Sequence, residues 1–210
     1  MAHIALVLVF GLTVLVAPLV AQGPQGWKAR VDLSESASDP DDMSDVKLVT
    51  MGKGFRVTGG PAGTFWNPAH SVAGNYSARA TFTLMKPSGH VNYYGLIFGG
   101  ADLEGRSQRY GYFLVAQNGT FIIRSRRGDS VQDVQTRTSH AAIRQPGADG
   151  RATNLLEVRV AGNTASYLVN GAVVHTAPKS TVTAGTDGIV GVRVNHLLDV
   201  HVEGFEAQRQ

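Results

Sequence analysis

A chain of 210 residues without a single cysteine excludes disulfide scaffolds and thiol chemistry, and its length suits one domain with a sizeable core. Nineteen basic residues against sixteen acidic ones give +3, a small excess, and Arg124, Arg126 and Arg127 form the one local basic cluster. Nucleic acid is excluded as a partner on that ground, because it demands a broad basic footprint and usually a recognisable motif.

The N-terminus predicts export. Ile4 to Val20 is apolar, broken only by Gly11, Thr13 and Pro18, and no charged side chain precedes Lys28. Pro18 and the small Ala21 close the run, which is the layout of a secretory signal peptide over residues 1–21, although His3 stands where a Lys or Arg is usual. The competing reading is an uncleaved anchor, since the run approaches the ~18 residues of a spanning helix. The break and the small residues favour cleavage and a periplasmic or extracellular location, with membrane contact only through the leader if it is retained. Residues 22–45 form a polar lead-in with one short strand at Trp27–Leu33; Ser34 to Asp45 reads SESASDPDDMSD.

From Val46 to Gln210 the text changes to short β-branched and aromatic runs between Gly, Asn and Asp turns, the signature of an all-β sandwich or barrel. Strands are predicted at Val46–Met51, Phe55–Thr58, Tyr76–Met85, Asn92–Gly99, Arg109–Gln117, Thr120–Arg126, Asn154–Val160, Thr164–Asn170, Ala172–His175, Gly188–Val194 and Leu197–Phe205. Loops are predicted at Ala101–Ser107 and Thr136–Ala152, and no window after the leader has helical periodicity.

Turn chemistry then sets faces. Asn118-Gly119, read as a two-residue hairpin turn, pairs Ala116 with Phe121, Leu114 with Ile123 and Tyr112 with Ser125. Tyr110, Tyr112, Leu114, Phe121 and Ile123 then share a core face, and Arg109, Phe113, Val115, Ile122, Arg124 and Arg126 share the other. A turn at Gly162-Asn163 sets Leu156, Val158 and Val160 beside Ala165, Tyr167 and Val169, and Asn170-Gly171 brings Val174 opposite Tyr167. Leu198, Val200 and Val202 alternate with Asp199, His201 and Glu203. One apolar and one polar face per strand points to stacked antiparallel sheets.

The runs Asn92-Tyr93-Tyr94-Gly95-Leu96-Ile97-Phe98-Gly99, Tyr110-Gly111-Tyr112-Phe113-Leu114-Val115 and Asn118-Gly119-Thr120-Phe121 resemble the concanavalin A-like lectin/glucanase superfamily. So do Asn154 to Val160, Tyr167-Leu168-Val169-Asn170-Gly171, Gly188 to Val192 and Val202-Glu203-Gly204-Phe205. The likeness runs from Val46 to Phe205 and is nearest to laminin-G-like and 3-keto-disaccharide hydrolase-type domains. It implies a two-sheet antiparallel jelly-roll sandwich with a face that often receives glycans, and its motifs specify architecture better than activity.

The resemblance also implies a Glu-x-Asp-x-Glu site in the glucanase members, whose alternate spacing aims its carboxylates across one groove. Here Asp102 and Glu104 have the spacing, but Gly100 stands in the leading position and the flanking glycines indicate a loop. Asp199, His201 and Glu203 form a second row able to supply a metal site or an acid–base pair, with a solvated outer strand face as the plainer reading. The other mature-chain histidines (His70, His90, His140, His175 and His196) show no metal-ligand spacing. No metal ligand is assigned; calcium, common in the superfamily, has no continuous motif here, and no other cofactor is implied.

The favoured ligand surface is Tyr93, Arg109, Phe113, Arg124 and Arg126, because aromatic rings cover the apolar face of a sugar while guanidiniums donate to hydroxyls or carboxylates. Trp27 suits a sugar platform or core, Trp66 packing; Arg127-Gly128-Asp129-Ser130 reads as a turn. These features favour a carbohydrate-recognition or envelope interaction module with a glycan partner. A glycoside or 3-keto-glycoside hydrolase, and a structural or adhesive domain that binds protein, are the alternatives.

Overall fold

A computed structural model describes residues 23–32 and 45–210. The apolar leader, read as a signal peptide over residues 1–21, and most of the acid-rich run at residues 33–44 lie outside the described residues.

Among the described residues, fourteen strands make two antiparallel seven-stranded sheets packed face to face. They are β1 (Lys28–Asp32), β2 (Lys47–Met51), β3 (Gly54–Thr58), β4 (Ala62–Val72), β5 (Tyr76–Lys86), β6 (Tyr93–Ala101), β7 (Arg109–Ala116), β8 (Thr120–Arg127), β9 (Ser130–Ser139), β10 (Ala152–Ala161), β11 (Thr164–Val169), β12 (Ala172–Pro178), β13 (Gly188–Val194) and β14 (Asp199–Arg209). The front sheet runs β1-β4-β13-β6-β7-β8-β9 and the back sheet β12-β11-β10-β5-β14-β3-β2. Because β1 pairs with β4, the lead-in contributes an edge strand to the sandwich.

Alternation explains the back sheet. In β5 and β10 every second residue is buried, which turns Ala78, Ala80, Phe82 and Leu84 together with Leu156, Val158 and Val160 toward the front sheet. Rings close the gap between the sheets: Phe98 and Phe113 of the front sheet lie 5.9 and 5.4 Å from Tyr167 of the back sheet, and Phe82 lies 6.0 Å from Tyr94. Burial pushes the Tyr94 hydroxyl up to about 12, and a hydrogen bond with Asn154 pulls the other way.

The loop after β9 is tied down by a buried amide pair. Asn154 accepts from the Arg144 N–H at 2.9 Å and donates to the Arg144 carbonyl at 3.0 Å, while Asn170 donates to Asn154 and to the Ala142 carbonyl. These bonds satisfy loop backbone that would otherwise be stranded near the core.

Several sequence expectations need correction. Val115 pairs with Phe121, Leu114 with Ile122, Phe113 with Ile123 and Tyr112 with Arg124, one residue off the predicted register. Ala116 and Thr120 close a three-residue loop, Gln117-Asn118-Gly119, in which only Gly119 has positive φ (+76°). That is a type I turn followed by a left-handed glycine, not a two-residue reversal. The slip moves Phe113 and Val115 into the inter-sheet core with Phe121 and Ile123, and turns Tyr110, Tyr112, Leu114 and Ile122 outward.

The Gly162-Asn163 turn keeps its predicted register. Asn170-Gly171 also closes as two residues, but a bulge between Tyr167 and Leu168 sets His175, not Val174, opposite Tyr167. Strands β4 and β9 were not expected; β9 takes four residues, 136–139, from the predicted 136–152 loop.

Phe113 is fully buried between Phe121 and Tyr167. Phe113→Ala is therefore expected to cost about 3–5 kcal/mol of folding stability in equilibrium urea unfolding. A solvent-facing ligand residue would cost a small fraction of that.

Candidate functional site

The front sheet's outward face differs from an ordinary sheet surface. Trp66, Tyr93, Ile97, Tyr110, Tyr112, Leu114, Ala116 and Ile122 point away from the inter-sheet core, yet all are buried and form a second apolar cluster with Leu103. A flat sheet cannot bury both faces without a covering layer.

Geometry supplies the reason. Asp32 on β1 and Arg126 on β8 are in direct contact, with Nη1 3.1 Å from Oδ2. Five inter-strand steps separate these strands. At about 4.8 Å per step they would stand about 24 Å apart in a flat sheet, far beyond the reach of an arginine and an aspartate. The front sheet is therefore curled, and its outward face is a cup. Long side chains roof the floor: the Arg193 guanidinium lies 5.8 Å from the Tyr112 ring centre and that of Arg137 5.8 Å from the Tyr93 ring centre.

Asp32 is the hub. Its Oδ2 accepts from Arg126 and, at 2.8 Å, from Arg193 Nη1, and its Oδ1 lies 3.7 Å from Arg30 Nε. Arg193 Nη1 also meets the Thr64 hydroxyl at 3.0 Å and the Tyr110 hydroxyl at 3.1 Å. Burial works against the Arg193 charge, but the Tyr110 hydroxyl and the Asp32 carboxylate outweigh it, so its pKa lies above the ordinary arginine value. Arg30 donates to the Glu104 and Gly105 carbonyls at 3.2 and 2.6 Å, and Lys28 pairs with Glu104 at 2.5 Å, which fastens the β6–β7 loop to the edge strand.

The residues expected from sequence to bind ligand separate into two groups. Tyr93, Arg124 and Arg126 lie on the cupped face, where Arg124 pairs with Asp133 at 2.5 Å and Tyr93 meets the Thr120 hydroxyl at 3.2 Å. Phe113 does not, because the register slip seals it inside the sandwich. Arg109 pairs in register with Arg127, which shares the inward face of β8 with Ser125 and Ile123, so it sits exposed at the sheet's end and not in the cup. Sequence reasoning missed Asp32, Arg193, Tyr110 and Tyr112. Their signal was present in β6 and β7, whose residues are apolar on both faces.

The two acidic rows are not brought together. Asp102 and Glu104 lie in the β6–β7 loop; Glu104 is 66% exposed in its pair with Lys28, and the Asp102 carbonyl accepts from the Gly105 N–H at 3.0 Å. Asp199, His201 and Glu203 lie on the outer face of the back sheet. The solvated reading fails for Asp199, which is 7% exposed and held by two hydrogen bonds from Arg56. His201 Nε2 contacts the Met51 carbonyl at 3.1 Å, and its Nδ1 is 3.8 Å from Glu203. Among the described residues no group of three or more His, Asp or Glu side chains is arranged to hold a metal ion.

A separate cavity of about 470 Å³ lies between the lead-in to β1, the β2–β3 hairpin, His70 of β4 and Phe205 of β14. Trp27 is half-buried at its wall, 4.3 Å from Phe55, 5.3 Å from Phe205 and 5.9 Å from His70. Trp66 is packed into the cup floor.

No family profile matches the sequence, and no curated protein matches it either. Solved structures do match. The carbohydrate binding module CBM66 from Bacillus subtilis aligns with a TM-score of 0.62 at 10% identity, over 87% of this chain and 95% of that one. A glycoside hydrolase family 16 endo-glucanase from Bacteroides ovatus aligns at 0.59 with 11% identity, over 87% and 94%. The Bacillus licheniformis beta-glucanase aligns at 0.58 with 10% identity, over 91% and 96%. The protein thus has the concanavalin A-like lectin/glucanase fold, a two-sheet antiparallel sandwich.

Two histidines give the fold a pH dependence. Burial lowers the pKa of His70, beside the cavity, and of His175, against Tyr167, below the usual 6.5. The unfolded chain then binds more protons than the folded one below about pH 6.5, so this contribution to stability is full above that pH and shrinks as pH falls toward the folded-state pKa values. The thermal midpoint should fall from about pH 7 to about pH 5.5, and the slope should flatten in a His70→Phe/His175→Phe double variant. An unchanged slope in that variant would assign the dependence to other groups.

Proposed function

We propose that this protein is an exported carbohydrate-recognition module that takes a saccharide on the cupped outer face of its front sheet. The observation that carries this reading is the contrast between the two outer faces. Apart from the pair of Arg56 with the buried Asp199, the back sheet's outer face is a surface of exposed polar pairs, where Arg79 pairs with Glu206, Arg159 with Glu157, and Thr83 with Thr153. The front sheet's face is built from tyrosines and guanidiniums over a dry floor, which suits a molecule with apolar ring faces and many hydroxyls.

The comparisons support the class without naming a ligand. One structural neighbour is described as a carbohydrate binding module and others as glucanases, and all share with this chain only the fold. Recognition is favoured over hydrolysis because Glu104 is spent in an ion pair with Lys28, while Asp199 is bound by Arg56 on the opposite sheet. Export follows from the apolar leader that ends at Ala21.

Purified protein starting at Gln22 should bind a subset of glycans on an array. Arg124→Ala should weaken binding by about tenfold, the loss of one good polar contact. Silence across a diverse array, from protein that melts cooperatively, would refute the recognition reading. N-terminal sequencing of the exported protein should begin at Gln22; recovery of an intact Met1 would favour the anchor.

A further inference from the structure

We propose that the ligand of the cup is an acidic saccharide, whose carboxylate or sulfate is received by the guanidiniums of Arg30, Arg126 and Arg193. This specifies the ligand class of the site above and rests on that reading.

The argument is one of charge. Other ion pairs match each arginine with a carboxylate of its own: Arg56 with Asp199, Arg79 with Glu206, Arg124 with Asp133 and Arg159 with Glu157. At Asp32 three guanidiniums converge on one carboxylate, an excess of two positive charges among the described residues. The excess is not on open surface. The side chains of Arg30, Arg126 and Arg193 are 26%, 17% and 11% exposed, so water screens them weakly while a ligand atom can still reach them.

An anion completes such a site. Guanidinium forks match the oxygens of a carboxylate or sulfate, and bonds to an ionised acceptor are about twice as strong as neutral ones. The site is also held in advance. Asp32, Thr64 and Tyr110 fix Arg193, and the Gly128 carbonyl accepts from Arg126 Nε at 2.8 Å, so little side-chain freedom remains to be lost on binding. A neutral sugar would use the same donors but leave the charge excess uncompensated.

Titration calorimetry on the mature protein should use short oligomers of matched length: neutral hexoses, uronates and sulfated hexoses. Short oligomers limit the non-specific attraction of a long polyanion to a basic protein. Acidic oligomers of one or both kinds should bind at least about tenfold more tightly than neutral ones, and the advantage should shrink between about 50 and about 500 mM salt. Arg126→Gln and Arg193→Gln should each remove that advantage, and Arg126→Lys should restore part of it. Arg79→Gln, on the other sheet, should leave it intact.

If Arg193→Gln fails to fold, the less buried Arg126 variants still decide the matter. Equal or tighter binding of neutral oligomers would overturn the acidic assignment and leave the recognition reading standing. An acidic preference that survives Arg126→Gln in a folded protein would also overturn it. Binding of no oligomer in either class would instead bring down the recognition reading beneath it.

Discussion

A single carboxylate holds the front sheet in its shape. Asp32 sits on the edge strand and is gripped by Arg126, five inter-strand steps away, and by Arg193 in between. Twisted sheets coil of their own accord, but contact between distant strands requires a definite bend toward one face. Once bent, the sheet shields its outward residues, so Tyr110 and Leu114 can be as dry as the inter-sheet core. The aromatic floor and the polar clamp are mutually dependent. Without the clamp the floor would be wet, and without the floor the arginines would stand in high dielectric, where ion pairs stabilise little.

The two sheets divide the labour. The back sheet obeys simple alternation, with an apolar inner face and paired charges outside, and its strands contribute to the core alone. The central strands of the front sheet are committed on both sides: Phe113 and Val115 to the inter-sheet core, Tyr112 and Leu114 to the cup. Glycines let neighbouring strands of this sheet pack closely. A Cβ on Gly111 would stand 2.5 Å from the Phe98 ring, and one on Gly191 2.4 Å from the Phe65 carbonyl oxygen, so neither position tolerates a side chain without rearrangement.

How far the sequence reveals this depends on the element. The fold class, most strands and the Gly162-Asn163 register follow from period-two alternation and turn chemistry, because those strands have one wet face. Register at β7–β8 does not. Residues 110–116 and 121–123 are apolar on both faces apart from Gly111, so a shift by one residue costs no hydrophobic mismatch that the sequence can display. The Asn118-Gly119 dipeptide then suggested the tighter of two available turns. Strand β4 was hidden by Pro68 and Asn67 within it, and β9 by its polarity, since an edge strand packed on one side shows little alternation. Asp32 was invisible for another reason: its partners lie 94 and 161 residues away, and no local pattern announces such a contact.

That distribution bears on how function is read from this architecture. At about a tenth identity, what the chain shares with its structural neighbours is the arrangement of apolar layers, which many residue combinations satisfy. The polar groups on the cup are free of that constraint, and there the chain departs from mere structural need. A curl enforced for stability alone would be served by one arginine per carboxylate, and the further guanidiniums at Asp32 leave a net positive charge on the cup. That surplus charge is held in place before any ligand arrives, by Thr64, Tyr110 and the Gly128 carbonyl, and it is what an anion would neutralise. The third guanidinium at Asp32 is therefore better explained by what the cup receives than by what holds it closed.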